Sequence, residues 1–222
     1  MIHLGSIGKT PVDVDVSFLF VAALWVANEY QNEKDLKVAL LWAPVLLISV
    51  LLHELAHAGM IAAFGYGSSQ IVLSGMGGVT YNRRHARPWH DLVISVAGPA
   101  SSFLLAFVAY YLYNTVPLLR HDPMLVRFMP ILIWANFGWG IFNLIPVSPL
   151  DGGHAVRNFF RMFLRERTAF VISVWIALIV GVIVVLIGIR SGQFFIALLL
   201  GWYVYMNFQQ WQYFRTHGFP GD

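Results

Sequence analysis

The sequence predicts an all-α polytopic membrane protein: six transmembrane helices with a small β-hairpin or sheet between the second and third. Three observations carry this. The 222 residues are 58% hydrophobic and only 11% charged, with a mean hydropathy of +0.67; soluble domains are about a quarter charged. Six apolar runs are separated by short polar breaks. One glycine-punctuated stretch, 70–81, switches to the two-residue alternation of strands. The length fits one membrane domain without a large soluble module. The net charge is only +3, and the arginines cluster beside apolar runs. That suits phospholipid head groups and a lipid bilayer, and argues against nucleic acid as a partner. No cysteine is present, which excludes disulfides and thiolate metal sites. The sequence carries no signal for oligomeric state.

Residues 1–10 hold one lysine and no long apolar core, so they do not read as a cleavable signal peptide. Val12, Val14 and Val16 alternate with Asp13 and Asp15. That period predicts a short strand, at a sheet edge because of Pro11. An apolar run from 17 to 27, extended to residue 30, is the first span. It is short against the roughly 20 residues that cross a bilayer, and a half-inserted helix is the alternative. Span two is 38–64, ended by Gly65 and Gly67. The hairpin at 70–81 turns through Gly75-Met76-Gly77-Gly78, whose glycines permit a close backbone approach. A basic loop of Arg83, Arg84, His85 and Arg87 follows, then span three at 92–112 with Gly98-Pro99 inside it. Span four is 128–145, with Asn136 and Asn143 embedded, and Pro146 to Gly153 break it. Residues 155–167 read as a basic amphipathic interfacial helix. Spans five and six are 169–189 and 194–213, the latter with Trp202, Tyr203, Tyr205, Trp211 and Tyr213 as an aromatic belt.

Six spans put both termini on one side, with Lys9, Arg83, Arg84, Arg87, Arg157, Arg161, Arg165, Arg167 and Arg215. The other side holds Lys34, Lys37, Arg120, Arg127 and Arg190. The bias favours cytoplasmic amino and carboxyl termini in the cell membrane.

Span two contains His53-Glu54-Leu55-Ala56-His57. Residues four apart share a helix face, so both imidazoles can reach one ion, and Glu54 can point to it. This is the zinc-hydrolase pattern of two neutral histidines and a general-base carboxylate. Ionisable groups are costly in hydrocarbon, which favours a functional reading over two satisfied core histidines. A catalytic zinc needs a third protein ligand. Asp91 and Glu166 sit at span borders and read as solvated. Asp151 lies on the motif's side, where irregular backbone at membrane depth is tolerated if it is buried or lines a wet cavity. An N-terminal helix cap is its other reading; the histidine motif favours the ligand role. His154 reads as a helix-start or outer-shell residue.

The motif His53 to His57, Gly77-Gly78-Val79, Ala97-Gly98-Pro99 and the run Phe142-Asn143-Leu144-Ile145-Pro146-Val147-Ser148-Pro149-Leu150-Asp151-Gly152-Gly153 together resemble the site-2 protease family of intramembrane zinc metalloproteases. The resemblance implies one zinc ion per chain on His53, His57 and Asp151, with Glu54 as base and Asn143 helping to hold substrate. It implies a six-helix core acting on a transmembrane protein substrate in regulated intramembrane proteolysis. Ser102 departs from the pattern, since many relatives carry Asn there. No PDZ or CBS module is recognisable. Asn143 could equally make an interhelical hydrogen bond. The hairpin offers an edge at Gly77, Gly78 and Val79 on which an extended peptide could add as a strand. Two rival classes are a catalytically silent zinc-binding scaffold, which would not need Glu54, and an ion transporter, which more often shows repeat symmetry.

Overall fold

The computed structural model describes residues 1–82 and 86–218. Arg83, Arg84 and His85 of the expected basic loop lie outside the described residues. The order is β1 (Ile2–Ile7), β2 (Thr10–Val14), α1 (Val16–Glu33), α2 (Leu36–Leu40), α3 (Trp42–Ala63), β3 (Gln70–Ser74) and β4 (Gly77–Tyr81). It continues with α4 (Pro88–Thr115), α5 (Leu118–His121), α6 (Leu125–Asn143), α7 (Asp151–Arg161), α8 (Glu166–Arg190) and α9 (Phe194–His217). Two compact units result: Met1–His85 with Ala97–Gly140, and Ala86–Val96 with Ile141–Asp222.

In the first unit the strands form one sheet, β1-β2-β3-β4. β1–β2 and β3–β4 are antiparallel, and β2–β3 is parallel. A parallel pair needs a long crossover, and α1 to α3 supply it. The hairpin at 70–81 is therefore present, but as half of a four-stranded sheet. The expected edge strand is an inner one: β2 is flanked by β1, which the sequence did not announce. Pro11 is tolerated because the parallel ladder spans only Val12 to Val14, so its missing N–H breaks no bond there. Alternation then works as expected. Val12 and Val14, with Ile71 and Leu73, form a core with Phe18 of α1 and Val50 and Ala58 of α3. Asp15 caps α1, its Oδ1 accepting from the Ser17 amide at 2.9 Å.

The buried face of α3 is two rows at four-residue spacing: Val45, Ser49, His53, His57 and Ile61, and beside it Val50, Glu54 and Ala58. One turn before His53, Ser49 Oγ accepts from Asn136 Nδ2 of α6 at 2.8 Å. Asn136 is thus an interhelical bridge.

In the second unit α8 packs on α7 and α9. Val147, Leu150, Ala177, Leu200 and Tyr203 form its core. Asp91 and Glu166, read from sequence as solvated, are half-buried and paired. Arg157 Nη2 donates to Glu166 Oε1 at 2.6 Å, and Arg161 Nη1 lies 3.6 Å from Asp91 Oδ2. The sequence could not show that α7 turns its arginines onto the start of α8.

Among the described residues four helical segments are long and apolar enough to cross a membrane: Leu36–Ala63, Pro88–Thr115, Leu125–Asn143 and Glu166–Arg190. The six expected spans reduce to four on this measure. α1 and α9 are helical where expected, but α1 ends in Asn28, Glu29, Gln31, Asn32 and Glu33, and α9 carries Asn207, Gln209, Gln210, Gln212 and Arg215. Those polar turns dilute their hydropathy.

Candidate metal centre

Regular helix geometry places His53, Glu54 and His57 on the inner face of α3, with relative exposures of 2%, 4% and 7%. The two imidazoles are edge to face, centroids 4.9 Å apart. Their direction is fixed by α4. A Cβ at Gly98 would collide with Nε2 of both rings, lying 2.5 Å from that of His53. Both Nε2 atoms therefore point into the space that Gly98 leaves free. At the other end of the His53 ring, Nδ1 is 3.0 Å from Ser102 Oγ, itself buried. Ser102 is one turn past Gly98, so a single face of α4 supplies both the open space and the hydroxyl. With Nε2 used for a metal, Nδ1 carries the proton and donates it to Ser102, the usual outer-shell arrangement that fixes a ligating histidine.

Glu54 is held by β4. Thr80 Oγ1 donates to Glu54 Oε2 at 2.7 Å and lies 3.1 Å from the Glu54 carbonyl oxygen. A Cβ at Gly78 would run into the Glu54 side chain, 2.5 Å from Oε1. Gly78 and Thr80 are two apart on a strand and face the same way. One admits the carboxylate and the other anchors it. Gly77, at φ +115°, sits against the Trp139 ring. Val79 alternates to the outside and is exposed.

Asp151 is the first residue of α7. Leu150 precedes it as N-cap, with no capping side chain, so the cap reading of Asp151 does not hold. The two following glycines are dictated by packing. A Cβ on Gly152 would strike the Leu144 carbonyl, and one on Gly153 would strike backbone at Ser148 and lie 2.7 Å from the Val147 carbonyl carbon. Asn143 is the last residue of α6 and is buried.

Among the described residues, His53, His57 and Asp151 are three whose ligand atoms suit a metal ion. Two imidazoles and one carboxylate suit zinc and leave a fourth position for water. His154 is exposed and outside that group. Sequence reasoning did not single out Thr80, and it left the role of Ser102 open. Each was reachable through its periodicity with Gly78 and Gly98.

Residues 42–120 and 117–188 match the profile of Peptidase family M50. The chain is 27% identical over 216 residues to a zinc metalloprotease of Methanocaldococcus jannaschii, covering 94% of this chain and 60% of that protein. It is 32% identical over 110 residues to stage IV sporulation protein FB of Bacillus subtilis, covering 49% and 36%. The chain thus spans 58% and 60% of the two curated relatives matched along most of its length. The structure of the Site-2 Protease from Methanocaldococcus jannaschii shares the fold, with a TM-score of 0.63, 23% identity and 94% of each chain covered. Since the profile runs over well more than half of its residues, the chain belongs to Peptidase family M50, the site-2 protease family, and with its four apolar helices it is an integral membrane protein.

Proposed function

We propose that the chain is an intramembrane zinc metalloprotease, acting as one transmembrane protease domain over residues 1–222. It hydrolyses peptide bonds in or near transmembrane segments of membrane-bound protein substrates, the chemistry of regulated intramembrane proteolysis. The observation that carries this is the pairing of Glu54 with the convergent Nε2 atoms of His53 and His57. The carboxylate is anchored by Thr80 through Oε2. A site that only stored metal would need the imidazoles and not the anchored base.

In this reading His53, His57 and Asp151 hold one zinc ion. Zinc so held would supply Lewis acidity to the site. Glu54 would take the proton of the water that adds to the peptide carbonyl and deliver it to the amine nitrogen as the C–N bond breaks. Thr80 keeps the carboxylate in one orientation through both transfers. Asn143, at the buried end of α6, donates to the substrate backbone or to the developing oxyanion. A helical substrate must unwind to present its carbonyl. β4 is an outer strand of the sheet, and Gly77, Gly78 and Val79 are where an unwound peptide adds to it. α1 and α9 complete six spans, with both termini cytoplasmic.

The test is cleavage of a transmembrane peptide by purified protein in detergent, with zinc counted in the same samples. Glu54→Gln is expected to lose at least about 100-fold in turnover while keeping its zinc. Val79→Pro is expected to raise KM with zinc retained. Val72→Pro would be a poorer probe, because Val72 sits inside the sheet between Asp13 and Val79. Full turnover by Glu54→Gln would overturn Glu54 as the base; absence of turnover in the unaltered chain would overturn the enzyme reading and favour the scaffold.

A further inference from the structure

We propose that Asn207 of α9 is a positioning residue for Asp151, acting through the loop that ends on that carboxylate. The inference rests on the zinc reading above. The buried face of α9 is Ala197, Leu200, Tyr203 and Asn207; three are apolar or aromatic and the fourth is an amide with 4% exposure. An amide there is costly unless it is hydrogen-bonded. Its Nδ2 donates one hydrogen to the Tyr203 carbonyl at 2.7 Å, the bond a helix offers to any such side chain. The second hydrogen goes to the Ser148 carbonyl, also at 2.7 Å, across 59 residues of chain.

Ser148 is three residues before Asp151. Its other side is occupied by the first turn of α7, where Gly153 packs so closely that a Cβ would collide with the Ser148 amide nitrogen. Val147 is fully buried, and its Cγ2 would lie 3.2 Å from a Cβ at Gly181 of α8. The 144–150 segment is irregular backbone of short turns: Leu144, Ile145, Val147 and Leu150 each donate a bond to a carbonyl two or three residues back, and those bonds reach nothing beyond the end of α6. Its path is set by what it packs on: the α7 glycines, α8, and the Asn207 amide. The amide is the directional one of the three contacts. Close packing excludes positions for the loop, whereas a short N–H···O bond orients one carbonyl. Asp151 is joined to that carbonyl by two intervening residues. Ser102 touches the His53 ring directly, whereas Asn207 acts on the carboxylate ligand through the chain from Ser148 to Asp151.

The experiment uses the full chain in detergent micelles and titrates zinc against a chromophoric chelator. Thermal unfolding is recorded on the same samples. Asn207→Leu, which keeps the bulk and loses the donor, is expected to weaken zinc binding by about tenfold, the low end for outer-shell losses. Asn207→Ser, with a shorter donor, is expected to weaken it less, and it serves as the test if the leucine variant does not fold. Val174→Ala removes a buried side chain of α8 outside the cluster that holds Val147 and Leu150 and is expected to lower the unfolding temperature with zinc affinity unchanged. Asn207 variants that lose thermal stability but bind zinc as tightly as the unaltered chain would make this residue purely structural and overturn the inference. Asp151→Asn separates the two claims. If it weakens zinc and the Asn207 variants do not, only the inference falls; if Asp151→Asn binds zinc as the unaltered chain does, the zinc reading falls first.

Discussion

The helix α3 and the segment 144–153 each hold part of the proposed donor set, and they hold it by opposite means. On α3 the backbone is regular, and its four-residue rows decide which side chains face inward. The neighbours of His53, Glu54 and His57 are mostly side chains and absences of side chains: Ser102, Thr80, Gly98 and Gly78. Along 144–153 the backbone itself is the packed object. Gly152 and Gly153 abut main-chain atoms of Leu144, Ile145, Val147 and Ser148. A helix tolerates adjustment around its side chains; a loop clamped through its main chain does not.

Matched alanine substitutions should break or keep that contrast, and they have the largest expected effect. Gly153→Ala meets backbone that cannot rotate away, so overpacking of about 1–3 kcal/mol or more is expected, read as a lower unfolding temperature. Gly98→Ala meets two imidazoles that can rotate. Its expected loss is in zinc affinity, with a smaller change in unfolding temperature. If both variants lose stability equally and zinc equally, the two regions are built alike.

Ser102 sharpens the helix side of the comparison. Ser102→Ala removes the Nδ1 partner of His53 and is expected to weaken zinc about 10–100-fold in the same titration. Ser102→Asn keeps a hydrogen-bonding group at that position, and is expected to recover part of the loss. An alanine variant with unaltered zinc affinity would mean that packing alone orients the ring.

The smallest effect is expected far from the centre, on the sheet. The Asp13 carboxyl is held below the usual carboxylate range by the His3 ring and the Gln70 amide, at 2.8 and 2.7 Å. A depressed folded pKa contributes stability above the unfolded value of about 3.9 and loses it as pH falls through the folded value. Asp13→Asn should therefore unfold slightly earlier than the unaltered chain at pH 7, and that difference should close at acid pH. A gap that widens in acid would reverse the sign.

How much of this was legible in the sequence follows the same division. The α3 rows, the hairpin and the valine alternation of β2 are periodic, so residue spacing alone brought His53, Glu54 and His57 to one face. β1 has no comparable signal: among Ile2, Leu4, Ser6 and Ile7 no face is buried, and without it β2 read as an edge. The Arg157 and Arg161 pairings with Glu166 and Asp91 join residues whose proximity depends on how α7 packs. Asp151 drew attention because its Pro and Gly setting is irregular, and that irregularity hid its clamp. Asn207 is one amide in an aromatic-rich helix, and nothing local distinguishes it from its neighbours Gln209 and Gln210.

The central claim is that His53, His57 and Asp151 bind one zinc ion beside an anchored base. It is tested most directly by zinc analysis of the purified chain, Asp151→Ala and Glu54→Gln, prepared side by side. The account predicts about one zinc per chain in the unaltered protein and in Glu54→Gln, and a marked loss in Asp151→Ala. Full zinc in Asp151→Ala, or none in the unaltered chain, would contradict it.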